Sequence, residues 1–169
     1  MAYPDTMKTC CFTGSRPEGF PWHEDESDAR CEKLKKEIEE SVRELIAGGY
    51  TRFISGVARG ADIYCAEIVA ELKKEFADIS LECAVPCPEQ ARGWSAEWTT
   101  RRENILSVAE RVTVLCEHYT NFCMGKRNAY MVDSSDFVIA VWGGQTSGGT
   151  YNTILKARRA KRPIKIIRY

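Results

Sequence analysis

The chain has 169 residues, 44% of them hydrophobic, and its 24 basic side chains are matched by 24 acidic ones. That length accommodates one ordinary domain with a sizeable core and leaves two independent domains too thin. The balanced charge supplies no overall field to hold a polyanion or an anionic membrane surface, so nucleic acid is not an expected partner and any phosphate has to be held locally.

The stretch through Gly14 lacks the basic segment and apolar run of a secretory leader, and nowhere do about 18 apolar residues follow one another, so the expectation is a cytoplasmic protein with no membrane span. The eight cysteines contain no C-x-x-C pair, and the two histidines, His23 and His118, stand far apart. Zinc needs four converging soft ligands, so no metal is expected, and Cys10, Cys83 and Cys116 read as small hydrophobes in buried strands.

Short apolar runs alternate with amphipathic stretches, the pattern of parallel βαβ units whose strands are covered on both faces. Met7 to Thr13 reads as a first strand ended by Gly14-Ser15-Arg16-Pro17, and a loop carrying Phe20 and Trp22 follows. From Ser27 to Ala47, the positions Cys31, Leu34, Ile38, Val42 and Leu45 give a helix one apolar face, and Gly48-Gly49 stops it. Thr51 to Ser55 is a second strand, and Gly56 to Asp62 leads into a helix with Tyr64, Cys65, Ile68 and Leu72 on one side. Leu81 to Val85 is a third strand, followed by a helix through Trp94, Trp98, Ile105 and Ala109 and a fourth strand, Val112 to Cys116. A helix near Lys126 to Ser134 precedes a fifth strand, Phe137 to Trp142. The run Gly143 to Thr150, a helix to about Ala160 and a last strand, Ile164 to Ile167, complete a Rossmann-like three-layer α/β sandwich whose sheet is mainly parallel, with five or six strands.

In such sheets ligands sit beyond the carboxyl ends of the strands, where the strand order switches. Three glycine-bearing loops fall there. Gly14, Ser15 and Arg16 offer a tight turn and a planar cation suited to phosphate. Ser55, Gly56, Ala58, Arg59, Gly60 and Asp62 form a loop of small residues that would present backbone amides at a helix start, with Asp62 as cap or ribose acceptor. Gly143, Gly144, Ser147, Gly148, Gly149 and Thr150 would cradle a phosphate with amides and hydroxyls. Any one of these turns is equally explained by the steric needs of a βα connection; their alignment at one edge is what points to a ligand. None matches G-x-G-x-x-G or G-x-x-x-x-G-K-[ST], which removes the usual dinucleotide fingerprint and the P-loop. Arg101-Arg102 and Lys126-Arg127-Asn128 are further phosphate or base contacts, or else solvated faces. Asp133 and Asp136 cap a turn or touch a ribose, and Trp94 and Trp98 read as packing.

The segments Gly14-Ser15-Arg16-Pro17, Ser55-Gly56-x-Ala58-Arg59-Gly60-x-Asp62, Arg127-Asn128 with Met131-Val132-Asp133, and Gly148-Gly149-Thr150 together resemble the YpsA-like branch of the SLOG superfamily, from about Thr9 to Ile167. The second block is also similar to that of DprA/Smf DNA-processing proteins. The resemblance implies a Rossmann-like domain that binds a nucleotide or a derivative such as ADP-ribose, NAD or a nucleoside monophosphate, as a sensor or regulatory module, with no required cofactor. It offers two alternatives: an N-glycoside hydrolase of the LOG phosphoribohydrolase kind, and a DprA-like binder of single-stranded nucleic acid. The LOG motif is P-G-G-x-G-T-x-x-E; aligned on Gly149-Thr150, Thr153 takes the place of its glutamate, and threonine supplies neither charge nor an efficient base. A homodimer is the expectation for a small domain of this kind.

Overall fold

The computed structural model describes residues 7–169; residues 1–6, part of the stretch examined above for a leader, lie outside it. Six strands alternate with five helices: β1 (Lys8–Gly14), α1 (Ala29–Ala47), β2 (Tyr50–Ser55), α2 (Ala61–Leu72), β3 (Ser80–Val85), α3 (Ala96–Val108), β4 (Arg111–Val114), α4 (Cys123–Asp133), β5 (Phe137–Val141), α5 (Gly149–Arg159) and β6 (Ile164–Ile167). The strands form one sheet in the order β4-β3-β2-β1-β5-β6, every neighbouring pair parallel. The fold is therefore Rossmann-like, and the expectation of a mainly parallel sheet is met by one that is wholly parallel. No helix among the described residues is long and apolar enough to cross a membrane.

Alternation along the strands divides the core. Cys10, Phe12, Phe53, Leu81, Cys83 and Ile139 face α1, α2 and α3. Cys11, Ile54, Ala84 and Val138 face Met131 and Val132 of α4 and Ala157 of α5. Successive strands β1 to β4 step one way with helices on one face, and the chain then returns to place β5 beside β1 with helices on the other face. This reversal fixes where a ligand can enter.

Local signals explain where the helices begin. Asp28 caps α1, its carboxylate accepting from the Arg30 amide at 2.8 Å, and Ser95 caps α3 by accepting from Trp98 N at 3.3 Å. The second cap leaves Trp94 outside the helix, against the expectation from sequence. Helix α4 starts at Cys123, earlier than Lys126. All eight cysteines are free thiols. Burial pushes those of Cys11 and Cys83 up to about 12, which makes them poor nucleophiles.

One buried charge interrupts the apolar third strand. Glu82, 0% exposed, accepts from Arg52 Nε at 2.9 Å, Thr113 Oγ1 at 2.9 Å and Tyr130 Oη at 2.5 Å, so a carboxylate beneath α4 ties β2, β3, β4 and that helix together. Removing one partner of such a pair strands the other charge in a dry setting, which costs far more than the pair itself contributes. Glu82→Ala is expected to lower the unfolding free energy by about 3–5 kcal/mol in urea titrations. A loss below about 1 kcal/mol, the range of surface pairs, would show that the network does not hold these strands.

Candidate functional site

Beyond the carboxyl ends of β1 and β5, the loops after β1, β2 and β5 and the start of α4 enclose an open cavity of about 330 Å³. It lies on the strand-order reversal, and three of its walls are the glycine loops singled out in the sequence.

The first wall is Gly14, Ser15 and Arg16. Gly14 is needed for packing, since a Cβ there would collide with Ala61 and come within 2.9 Å of Val141 Cβ. Ser15 is locked on three sides: its amide donates to the Val141 carbonyl at 3.2 Å, its carbonyl accepts from Ala61 N at 3.0 Å, and its hydroxyl meets Tyr169 Oη at 2.6 Å. Arg16 follows this fixed turn, exposed at the cavity rim and in no ion pair with a described residue.

The second loop differs from its sequence reading. Only Ala58 and Asp62 of it line the cavity, while Ser55, Gly56, Arg59 and Gly60 do not. Three of its amides are spent inside the protein: Val57 N donates to Ser55 Oγ at 3.1 Å, Ala58 N to Asp62 Oδ2 at 3.3 Å, and Ala61 N to the Ser15 carbonyl. Gly60, at φ +89°, must be glycine both for its backbone and because a Cβ would sit 2.5 Å from Ser15 O. Arg59, expected as a charge partner for phosphate, instead reaches Glu18 at 2.8 Å, away from the cavity, because that carboxylate stands on the neighbouring turn.

The buried cation of the site is Arg127 on α4, only 5% exposed. Its Nη1 donates to the Gly56 carbonyl at 2.6 Å and its Nε to Asn128 Oδ1 at 2.8 Å. Gln90 donates to the same Gly56 carbonyl at 2.9 Å and is itself held by Arg102 Nε at 3.0 Å. Opposite lies Asp62, 6% exposed. A side chain at Gly56 would collide with Arg127 Nη1 and sit 2.8 Å from Asp62 Oδ2, so this glycine is what lets cation and acid flank the loop. Burial lowers the Arg127 pKa from its ordinary value although Asp62 opposes the shift. Burial likewise raises that of Asp62 against the pull of Arg127, the Ala58 amide and Arg16. Asp133 is not part of this group: it ends α4, exposed, at the edge where β5 begins, and α4 carries Arg127 and Asp133 to opposite edges of the sheet. Asp136, at that same far edge, accepts from the Thr9 amide at 2.9 Å.

The third wall is Ser147, Gly148, Gly149 and Thr150, the start of α5. No side chain caps this helix, so its first-turn amides face the cavity without intrahelical partners. Gly143 and Gly144 lie elsewhere: added side chains would meet Tyr169 and Arg168, the residues after β6. Thr153, in the motif glutamate's place, is 1% exposed and donates to the Gly149 carbonyl at 2.9 Å, within its own helix. Asp62 is thus the one acid among the lining residues.

Met124, Trp142 and Gln145 also line the cavity and were not anticipated. Trp142 Nε1 donates to the Gln145 carbonyl at 2.8 Å, bracing the loop, and its ring stacks on Tyr151 with centroids 6.0 Å apart. A tryptophan ending a strand beside a glycine run was the available signal. Charge is also less even than the neutral total suggests: no acidic residue follows Asp136, whereas Lys156, Arg158, Arg159, Lys161 and Arg162 crowd the end of α5 and the turn after it. The neutral sum therefore does not exclude a polyanion as a partner.

Comparison with known proteins agrees with this architecture. A structure of DNA processing protein A from Helicobacter pylori, described for its unique single-stranded DNA binding mode, superposes with a TM-score of 0.64 at 18% identity, over 96% of this chain and 66% of that one. The uncharacterized SPbeta prophage-derived protein YoqJ of Bacillus subtilis (strain 168) is 32% identical over 140 residues, covering 75% of this chain and 81% of the relative. A UPF0398 protein of Bacillus anthracis (strain A0248) is 27% identical over 156 residues, 90% of this chain and 84% of its own length. The model of the YspA SLOG family (YpsA) matches residues 10–168. The chain belongs to the YspA SLOG family.

Proposed function

We propose that the chain binds a phosphate-bearing nucleotide or nucleotide derivative in the crevice between β1 and β5, with the phosphate on the first turn of α5 between Arg16 and Arg127. The observation that carries this reading is Gly149. It opens a helix in ordinary backbone geometry, and a Cβ there would meet nothing within 4 Å. No described residue requires a glycine at that position, whereas a phosphate seated on the helix amides needs the close approach that a missing side chain allows.

A hydrolytic role finds less support, because glycoside cleavage ordinarily employs a pair of carboxylates and the cavity offers Asp62 alone. A second reading, a single strand of nucleic acid laid across the same crevice, is favoured by the basic run 156–162 and by the likeness to a protein that binds single-stranded DNA. The two readings differ in how many phosphates the surface engages.

Thermal unfolding with AMP, ADP-ribose, NAD and cyclic nucleotides tests the first reading: a ligand at about 100 times its Kd adds about 2.7 kcal/mol of stability. No shift with any of them would overturn it. Gly149→Ala is expected to stabilise the unliganded chain by about 0.4–1 kcal/mol while weakening the ligand's effect, a divergence that a purely structural glycine would not produce.

Arg16→Ala should cost about 1.5–3 kcal/mol of binding by calorimetry, the worth of a hydrogen bond to a charged group. Arg59→Ala should leave affinity unchanged, since that guanidinium is held by Glu18 outside the cavity.

Asp62 adds a pH dependence of stability. Its pKa in the folded chain lies above the ordinary 3.8, so between the two values the folded state holds more protons than the unfolded state, and stability is lost as pH rises through that window. Asp62→Asn removes the loss. In urea titrations carried upward from about pH 4, the variant should gain on the wild type as pH rises; a constant difference would mean the carboxyl is not desolvated in solution.

A further inference from the structure

Between α4 and α5, directly beside the crevice, lies a second depression of about 400 Å³. It shares Met124, Asn128 and Gly149 with the crevice, so the two form one continuous trough with the start of α5 between them. The crevice alone is at the small end of ligand sites, which run from about 300 to 1,000 Å³, and the trough as a whole falls well inside that range.

Two independent features mark the second depression as more than loose packing. The first is chemical: it is lined by Lys156, Arg159, Asn128 and Asn152 and by no acid. Lys156 and Arg159 stand three residues apart on α5, on one face, and neither is in an ion pair with a described residue. Several cations elsewhere are matched: Lys35 reaches Glu26, Arg43 reaches Glu75, Arg59 reaches Glu18 and Arg101 reaches Glu67. Asn128 is oriented as well. Its side-chain carbonyl is occupied by Arg127 Nε, which leaves its amide hydrogens as donors. The second feature is steric: Gly125 in α4 and Gly149 in α5 line the depression, and a Cβ at either would meet nothing within 4 Å. Glycine weakens a helix relative to alanine, and nothing described in the protein calls for it at these two points.

We propose that the groove between α4 and α5 is a second anion subsite, so that the ligand carries two linked phosphate-bearing units: one in the crevice and the next passing over Gly149 to Lys156 and Arg159. The inference rests on the nucleotide-binding reading and narrows its ligand to molecules with a phosphodiester or pyrophosphate link. A dinucleotide and a nucleic-acid strand share that chemistry.

Calorimetry on the full chain separates the cases, using AMP as the single-unit probe and NAD, the phosphorylated dinucleotide pdApdA and a short oligothymidylate as linked probes. At least one linked probe should bind the wild type about tenfold or more tighter than AMP. In the doubly substituted chain, Lys156→Ala with Arg159→Ala, that advantage should disappear while AMP affinity stays within about twofold. Tightening with NAD alone identifies a small dinucleotide. Tightening with oligothymidylate, with a log–log salt slope that falls by about one to two in the double variant, identifies a strand. If linked probes bind no tighter than AMP, or if the double substitution weakens AMP and linked probes by the same factor, the subsite is refuted and the nucleotide reading stands. If neither AMP nor any linked probe binds, both fall together.

Discussion

The site is organised around a desolvated guanidinium. Arg127 projects from α4, on one face of the sheet, to the carbonyl of Gly56, which belongs to a loop feeding α2 on the other face. A cation so placed loses most of its hydration, and the protein returns it as one short bond to a carbonyl, one to the neutral Asn128 and the field of Asp62. None of these is a close ion pair, so the positive charge is held in place without being quenched. The same carbonyl also takes a bond from Gln90, and Gln90 is steadied by Arg102 of α3. Elements from both layers thus converge on a single backbone oxygen, and the crevice keeps its shape through that convergence.

This arrangement assigns the two helix-opening loops different tasks. Amides of the loop after β2 bond within the loop and to Ser15, and the glycines packed around it are demanded by the protein: Gly14 by Ala61 and Val141, Gly56 by Arg127, Gly60 by Ser15. The loop after β5 ends in Gly148 and Gly149, where an added Cβ would meet nothing within 4 Å, and the helix that follows has no side-chain cap. One loop is scaffold and the other is surface. A tight packing requirement explains a small residue from within; its absence beside a cation-lined cavity shifts the explanation to what the cavity holds.

Much of this was legible in the sequence. Strand boundaries followed from apolar runs punctuated by glycine and proline, and the helical faces of α1 and α2 from their three- and four-residue spacing, because both patterns record burial directly. Which loop residues turn inward was not legible. Arg16, Arg59 and Arg127 look alike in a sequence, yet one stands at the rim, one is drawn off by Glu18 and one is buried, and the difference lies in partners 40 to 70 residues away or on a neighbouring turn. Asp133 was misplaced for a simpler reason: it stands six residues after Arg127 on α4, about 9 Å further along the helix axis, at the end that leads into β5 and away from the crevice.

Net charge is the remaining case, and it bears on what the crevice can hold. A total of zero was read as the absence of a field, but a sum says nothing about arrangement, and electrostatic attraction falls off within about 10 Å at ordinary salt. Acidic residues end at Asp136, and the chain after it builds β5, α5 and β6, one side of the crevice and the edge of the sheet beyond. A ligand at the start of α5 therefore meets that half of the molecule and, from α2, the carboxyl of Asp62 at the cavity wall. The relevant quantity is the local charge, and among the residues lining the crevice and the groove beside it Arg16, Arg127, Lys156 and Arg159 face a single acid, Asp62, whose own burial favours its neutral form.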